Sequence, residues 1–340
     1  MRRRRIPYGI LVPPALLLLA ALLWTFVWFA AASRAREALA GWREAAAAQG
    51  ARLSCAEEST GGYPFRLQFE CASPEVTFAV DGVDHALSGD RLRAVAQAYD
   101  TSHVIVELDA PARIARLGPG AGLASVSAGV IRASVEFADD RLWRLSAAVP
   151  GWTAGTEAAG PPAAGAGRSE LHLRLRPGDD AVDVAVSAEQ AHFSDGAADR
   201  QVTVDRARIV AVINRPQPLS LARARTWLSR WREAGGVADI RSLTFAGPSL
   251  AGEGAGTITL TGQDALEGAL TMRLTRLDRF VHDLESRAVL SPTEADLLEG
   301  AAQLLATDVD GQKAATLPVR IRDGEVWLGP VRIWVLPGPG

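Results

Sequence analysis

"SELHLRLR" (Ser169–Arg176) followed by "AVDVAVSA" (Ala181–Ala188) is the stretch that decides the fold. Leu171, Leu173 and Leu175 fall on one side of an extended chain, and His172, Arg174 and Arg176 on the other. Val182, Val184 and Val186 repeat the pattern. A period of two belongs to a strand with one dry and one wet face, because successive side chains point to opposite sides of the pleat. Working outward, "IRASVEFADDRLWRLSAAV" (Ile131–Val149) reads as two strands around an Asp139–Asp140 turn. "HVIVELD" groups Val104, Val106 and Leu108, and "RLRAVAQA" groups Leu92, Ala94, Ala96 and Ala98. Such alternation predicts antiparallel sheet, since strands of a parallel sheet are buried on both faces.

The last third restarts the pattern in "SLTFAG", "GTITLTG", "EGALTMRLT", "LPVRIRDG" and "EVWLGPVRIWVL", separated by Gly-rich turns. Helices are predicted over Ser220–Gly236, with Ser220 as N-cap, and over "RLDRFVHDLESRAVL" (Arg276–Leu290). Another begins at "SPTE", where Ser291 caps, Pro292 takes the first turn and Glu294 closes a capping box. "PGWTAGTEAAGPPAAGAG" (Pro150–Gly167) has the Gly, Pro and Ala content of a loop or linker. It divides a first β-rich lobe (51–150) from a second with helices (168–336). The expected class is β-rich α+β: mostly antiparallel sheet with a few packing helices, preceded by one N-terminal transmembrane helix.

That helix is read from Ile6 to Ser33, 28 residues without a charge. An apolar run beyond about 18 residues is a candidate membrane span. Pro13 and Pro14 suit its first turn, and Trp24 and Trp28 suit the headgroup region at its far end. Arg2, Arg3, Arg4 and Arg5 precede it and stay in the cytoplasm by the positive-inside rule, so the rest of the chain is expected outside. The competing reading is a signal peptide cut after Ala30 and Ala32. Against it, the run is longer than an h-region of about 7–15 residues, and Trp28 and Phe29 crowd the cut. Ser33–Gly50, Ala-rich, continues as a helical stalk.

The chain carries 36 Lys and Arg against 39 Asp and Glu. Without the four N-terminal arginines the balance is 32 to 39, which argues against a nucleic-acid surface. The only cysteines are Cys55 and Cys71. Export places them in an oxidising space, where a disulfide persists. Leu67, Phe69 and Cys71 alternate, as do Ala51, Leu53 and Cys55, with "STGGYP" between supplying turn residues and Pro64 starting the second strand. This predicts a hairpin of those two segments, stapled across its apolar face. The alternatives are two free thiols or half a metal site. Zinc wants four ligands, however, and neither cysteine has a His or Cys at ligand spacing.

A reaction is harder to find. His85, His103, His172, His192 and His282 are scattered, with no local ligand spacing. "GPSLAG" around Ser249 is one residue too long for a nucleophile elbow. "GPGAG" and "GEGAG" match no phosphate-binding loop and read as turns, as does "DVDG" (Asp308–Gly311). No catalytic residue, cofactor or metal is predicted. The dry strand faces are the remaining candidate, read either as an ordinary core or as an open groove for acyl chains.

"GYPFRLQFEC" (Gly62–Cys71), after an N-terminal anchor, Gly41–Trp42 and an earlier Cys55, resembles a bacterial envelope family. That family is catalogued as a domain of unknown function, family number 2125. "RIRDGEVWLGPVRI" (Arg320–Ile333) resembles its closing segment. The resemblance implies no reaction or ligand, and gives Gly62, Tyr63, Pro64, Phe65 and Arg66 the role of shaping the hairpin. The alternation of short strands and Gly-rich turns is also similar to AsmA-like envelope proteins, associated with lipid transport and outer-membrane assembly. The expectation is a non-enzymatic, single-pass inner-membrane protein with a periplasmic body that handles lipid in envelope maintenance. The alternatives are a scaffold that docks another envelope protein and, third, an enzyme.

Overall fold

A computed structural model describes residues 8–80, 83–117, 125–139, 141–155, 164–176, 178–194, 201–216, 224–262, 265–287, 289–309, 312–322 and 324–335. The chain opens with α1 (Tyr8–Ala48), one unbroken helix through both the apolar run and the stalk. Among the described residues it is the one helix long and apolar enough to cross a membrane. Pro13 and Pro14 lie inside it rather than in its first turn, because the helix starts by Tyr8.

Strands follow: β1 (Arg52–Ser54), β2 (Glu57–Gly61), β3 (Arg66–Ala72), β4 (Glu75–Val80), β5 (Val83–Ser88), β6 (Arg91–Gln97) and β7 (Asp100–Leu108). Next come β8 (Ala112–Leu117), β9 (Ser125–Ala128), β10 (Ile131–Ala138), β11 (Arg141–Gly155), β12 (Ala164–Arg176), β13 (Ala181–Ser194) and β14 (Gln201–Asn214). The last part contains α2 (Ala224–Glu233), β15 (Ala238–Ala246), β16 (Ala251–Leu260), β17 (Leu266–Thr275), α3 (Leu277–Ser286) and α4 (Pro292–Leu304). It closes with β18 (Ala306–Val309), β19 (Gln312–Arg322), β20 (Glu325–Leu328) and β21 (Val331–Val335). The predicted class holds: a mostly antiparallel sheet with a few helices and a long apolar helix in front.

The pairings resolve into an up-and-down order of long strands. One row runs β2, β3, β6, β7, β10, β11, and a second runs β1, β4, β5, β8, β9, β11. Thus β1/β2, β3/β4, β5/β6, β7/β8 and β9/β10 are each two halves of one strand, interrupted at a common level. Strands β11 to β14 cross that level whole. The ladder continues across the seam: Ser73 N–H donates to Asp90 O at 2.9 Å, and Gly129 N–H to Pro150 O at 3.1 Å. Beyond β11 the order is β12, β13, β14, β15, β16, β17, β19, with β18 and then β20 and β21 on β19.

At the seam the apolar alternation steps by three instead of two. It passes from Ala128 to Ile131, Val149 to Trp152, Ala188 to Ala191 and Val204 to Ala207, and on β12 the same face passes from Ala166 to the polar Ser169. Ser73, Gly151 and Gln190, at this level, take positive φ of 47°, 56° and 51°. A left-handed residue inserted in a strand acts as a bulge, bending the strand and re-aiming the side chains beyond it. Trp152 shows the result, donating its indole N–H to Ser169 Oγ at 2.8 Å across the seam.

Several sequence expectations need correction here. The hairpin closed by the cysteines is β2–β3, with Glu57 opposite Ala72 and Gly61 opposite Gln68. β1, the expected partner of β3, pairs with β4 instead. Ser59–Gly61 therefore belong to a strand, and Pro64 lies in the turn behind a cis Tyr63–Pro64 bond. The expected linker over Pro150–Gly167 is strand at both ends, through Gly155 and from Ala164, so the ladder runs on between the two expected lobes. "GEGAG" is not a turn but lies within β16. A side chain on Gly254 or Gly256 would strike the carbonyl oxygen of Thr271 or Ala269. α3 is shorter than expected, ending at Ser286, after which the Val289 N–H folds back onto Leu284 O at 2.9 Å. The Ser291 capping box forms as predicted. Ser220 and the "GPGAG" stretch lie outside the described residues, as do Asp310 and Gly311.

The largest buried cluster lies under α3 and α4. Leu277, Val281, Leu284 and Leu298 close over Leu270, Met272, Leu274 and Leu317. The β16 glycines let these strands approach, so Gly256→Ala is expected to destabilise by about 1–3 kcal/mol through overpacking. Gly300→Ala, with open space in the interior of α4, should stabilise by up to about 1 kcal/mol. Urea unfolding of both variants checks the pair.

Candidate functional site

Register fixes which side chains share a face. One rung runs Val104, Val135, Leu145, Leu173, Val184, Ala211. The next runs Val106, Ala133, Ala147, Leu171, Val186, Ile209, Leu243. Both are wholly apolar, as the leucine and valine alternation predicts. The buried cluster under α3 and α4 includes Ala211 and takes in Leu243 at its margin. A second small cluster, where α1 meets the sheet, comprises Trp28, Ala32, Leu67 and Ala98. Val135, Leu145, Leu171, Leu173, Val184 and Val186 belong to neither. Val186 is 41% exposed and Ile209 38%. Among the described residues the apolar face is thus capped by helices at both flanks but not over β7 and β10–β14. There its side chains outside the two clusters are half-buried, apart from the exposed Val186 and Ile209. That stretch is about 24 Å across six strands at 4.7–4.9 Å spacing.

The opposite face is a lattice of cross-strand ion pairs. Arg174 and Arg176 both hold Asp183, at 2.7 and 2.5 Å, and Arg132 holds Glu107 at 2.9 Å. A depression of about 660 Å³ is lined by Arg144, His172, Arg174, Arg176 and Arg241 with Asp183. Its charges are internally matched, Arg144 to Glu136 and Arg241 to Asp239. The hydrogen bond from Arg176, then that from Arg174, holds the Asp183 carboxyl below its usual 3.8. His172 meets Ser146 Oγ at 3.0 Å and His103 meets Ser134 Oγ at 2.8 Å. Among the described residues no three His, Cys, Asp or Glu side chains converge as metal ligands. Ser249 lies in the tight turn closed by Gly247 N–H to Leu250 O at 2.9 Å, with strand on both sides.

The cysteine hairpin is built as a docking element for α1. Cys55 and Cys71 form a disulfide with Cα atoms 5.4 Å apart, and Cys71 is fully buried. Gly62 takes a φ of +99°, which lets the Arg66 N–H return to its carbonyl at 2.8 Å. Trp24 Nε1–H donates to Pro64 O and Trp28 Nε1–H to Arg66 O, both at 2.8 Å. Thr25 and Tyr63 share a hydroxyl contact at 2.9 Å, and Trp28 meets the Tyr63 ring edge-on at 5.5 Å. Further along, Arg43 pairs with Glu58 at 2.6 Å. Sequence reading placed Trp24 and Trp28 at a membrane interface and gave the "GYPFR" residues the shaping of the hairpin, but did not bring the two together. The available signal was the concentration of aromatics in both segments. Arg2–Arg5 lie outside the described residues.

Fold and surfaces define a class: a long apolar N-terminal helix clamped to a disulfide-closed β body with a partly uncovered apolar face. A family model described as "Uncharacterized protein conserved in bacteria (DUF2125)" matches residues 28–337, and the chain belongs to that family. No curated protein and no solved structure matches, so the likeness to AsmA-like proteins gains nothing from these comparisons.

Two outcomes test these elements. Replacing both cysteines with serine should cost on the order of 3 kcal/mol for a loop of this size, read as a lowered urea midpoint. Because the Asp183 pKa is depressed, its pairing stabilises above about its usual value and is lost as pH falls through the lowered one. The stability gap between the native chain and Asp183→Asn should therefore shrink as pH is taken below 4.

Proposed function

We propose that this is a membrane-anchored envelope protein that binds a hydrophobic ligand, a lipid, on the uncovered apolar face of β7 and β10–β14, without converting it chemically. The observation that carries the reading is that uncovered run, with Leu171, Leu173, Val184, Val186 and Ile209 outside any fully buried cluster except at its edges. A monomeric soluble protein seldom leaves a wide contiguous apolar surface to water, so such a surface favours a partner that is itself apolar.

Retention of the anchor is supported by its packing. Trp28 and Ala32 are each 6% exposed against the β body, and Trp24 is tied to Pro64. A cut after Ala30 or Ala32 would remove the two indoles that hold the hairpin. The disulfide favours an oxidising compartment, and with Arg2–Arg5 on the other side of the helix the body is assigned to the periplasm. A partner-docking scaffold is the second reading, favoured by the exposed Leu297 and Leu304 on α4 and Leu305 at its C-cap.

The full chain, reconstituted with a diazirine-bearing phospholipid and irradiated, tests the proposal. Cross-links are expected within 169–194 and 201–214, and Val186→Asp with Ile209→Asp should abolish them. Labelling confined to α1 would leave the scaffold reading.

A further inference from the structure

Beyond α1 itself, three exposed aromatic side chains gather at one end of the sheet. Tyr63 and Phe65, on the β2–β3 turn, are 54% and 62% exposed, and Tyr99, on the β6–β7 turn, is 69% exposed. The two turns are neighbours: Arg66 opposes Gln97, and Ala98 N–H donates to Phe65 O at 2.9 Å. Their position along α1 is fixed by the bonds from Trp24 and Trp28 to Pro64 and Arg66. Phe65 lies beside Trp24, ring centroids 6.1 Å apart. On the same stretch of helix Leu22, Leu23, Phe26 and Phe29 are exposed, so helix and tips present one continuous apolar surface.

The level of that surface comes from helix geometry. Tyr8 to Trp24 spans about 24 Å and Tyr8 to Trp28 about 30 Å, which matches the hydrocarbon thickness of a bilayer. The tips therefore stand where the anchor leaves the hydrocarbon. Aromatic rings with a polar edge favour that zone, and an exposed Arg66 beside them suits anionic headgroups.

We infer that Tyr63, Phe65 and Tyr99 form a foot that inserts into the headgroup layer of the bilayer and holds this end of the sheet against it. The inference rests on the anchor reading above. It assigns the "GYPFR" turn a membrane contact in addition to shaping the hairpin, and it sets the near ends of the apolar rungs at the lipid surface.

The test uses the full chain in nanodiscs of phosphatidylcholine and phosphatidylglycerol, with Cys55–Cys71 left oxidised. An environment-sensitive fluorophore is placed singly at Phe65→Cys, Tyr99→Cys, Leu19→Cys within the anchor, and Phe193→Cys at the far end of the strands. Circular dichroism confirms that each labelled chain is folded. With shallow nitroxide lipids, the probes at 65 and 99 should lose most of their emission while that at 193 keeps it. Deep nitroxides should quench the probe at 19. A probe at 65 as bright as that at 193, beside a quenched probe at 19, overturns the foot and leaves the anchor standing. Loss of quenching at 19 as well overturns both.

Discussion

Strands of 13 to 15 residues, such as β11 to β14, cannot stay flat, and the place where they bend governs the rest of this molecule. The bend is shared. On most strands the step falls at the same level, so the ladder stays in register while the apolar set shifts by an odd number of residues. β7/β8 is the exception, passing from Leu108 to Ala112 across the cis Ala110–Pro111 bond. Had one of the other strands missed the step, its far half would face the wrong side, because a one-residue slip exchanges the two faces of a strand. Ser73, Gly151 and Gln190 take a left-handed backbone at this level, and only one of them is the residue most tolerant of it. Cys55 lies at the same level, between the two halves of the first strand, so the disulfide ties β3 to the start of the seam.

The two ends of the apolar face are closed by different means. On one flank α3 and α4 return after β17 and bury Leu270, Met272 and Leu274. On the other, α1 lays Trp28 and Ala32 against Leu67 and Ala98. Between them lies the part for which we propose a lipid, while the reverse side is charged and self-paired. Hydrophobic burial thus anchors the flanks, and the centre is left with aliphatic side chains that are only partly buried.

Much of this was legible in particular residues. Leu171, Leu173 and Leu175 set the face of β12, and the Ser291 box set the start of α4, because both are local signals. The hairpin register was misread because "ARLSC" and "EESTG" are equally able to extend beside β3, and period-two logic does not choose between adjacent segments. The turn residues of "STGG" suggested a loop that starts earlier and is longer than the one formed at Gly62–Phe65. Pro150–Gly155 and Ala164–Gly167 were read as linker from their Gly, Pro and Ala content, yet small residues are what a bent, closely approached strand accepts. In "GEGAG" the spacing of Gly252, Gly254 and Gly256 is itself period two and marks one face of β16. Where the apolar face is capped was beyond reach, since the caps come from helices far away along the chain, and only tertiary packing brings them over it.

The up-and-down order has one more consequence. Most long strands pair with the one made shortly before, so most pairings close a short loop and cost little chain entropy, while β17–β19 closes over α3, α4 and β18. A sheet this wide would be slow to assemble if distant segments had to find each other, but here it can zip from either end, one hairpin after another. A chain emerging from its first strand onward meets most of its partners in the order of synthesis.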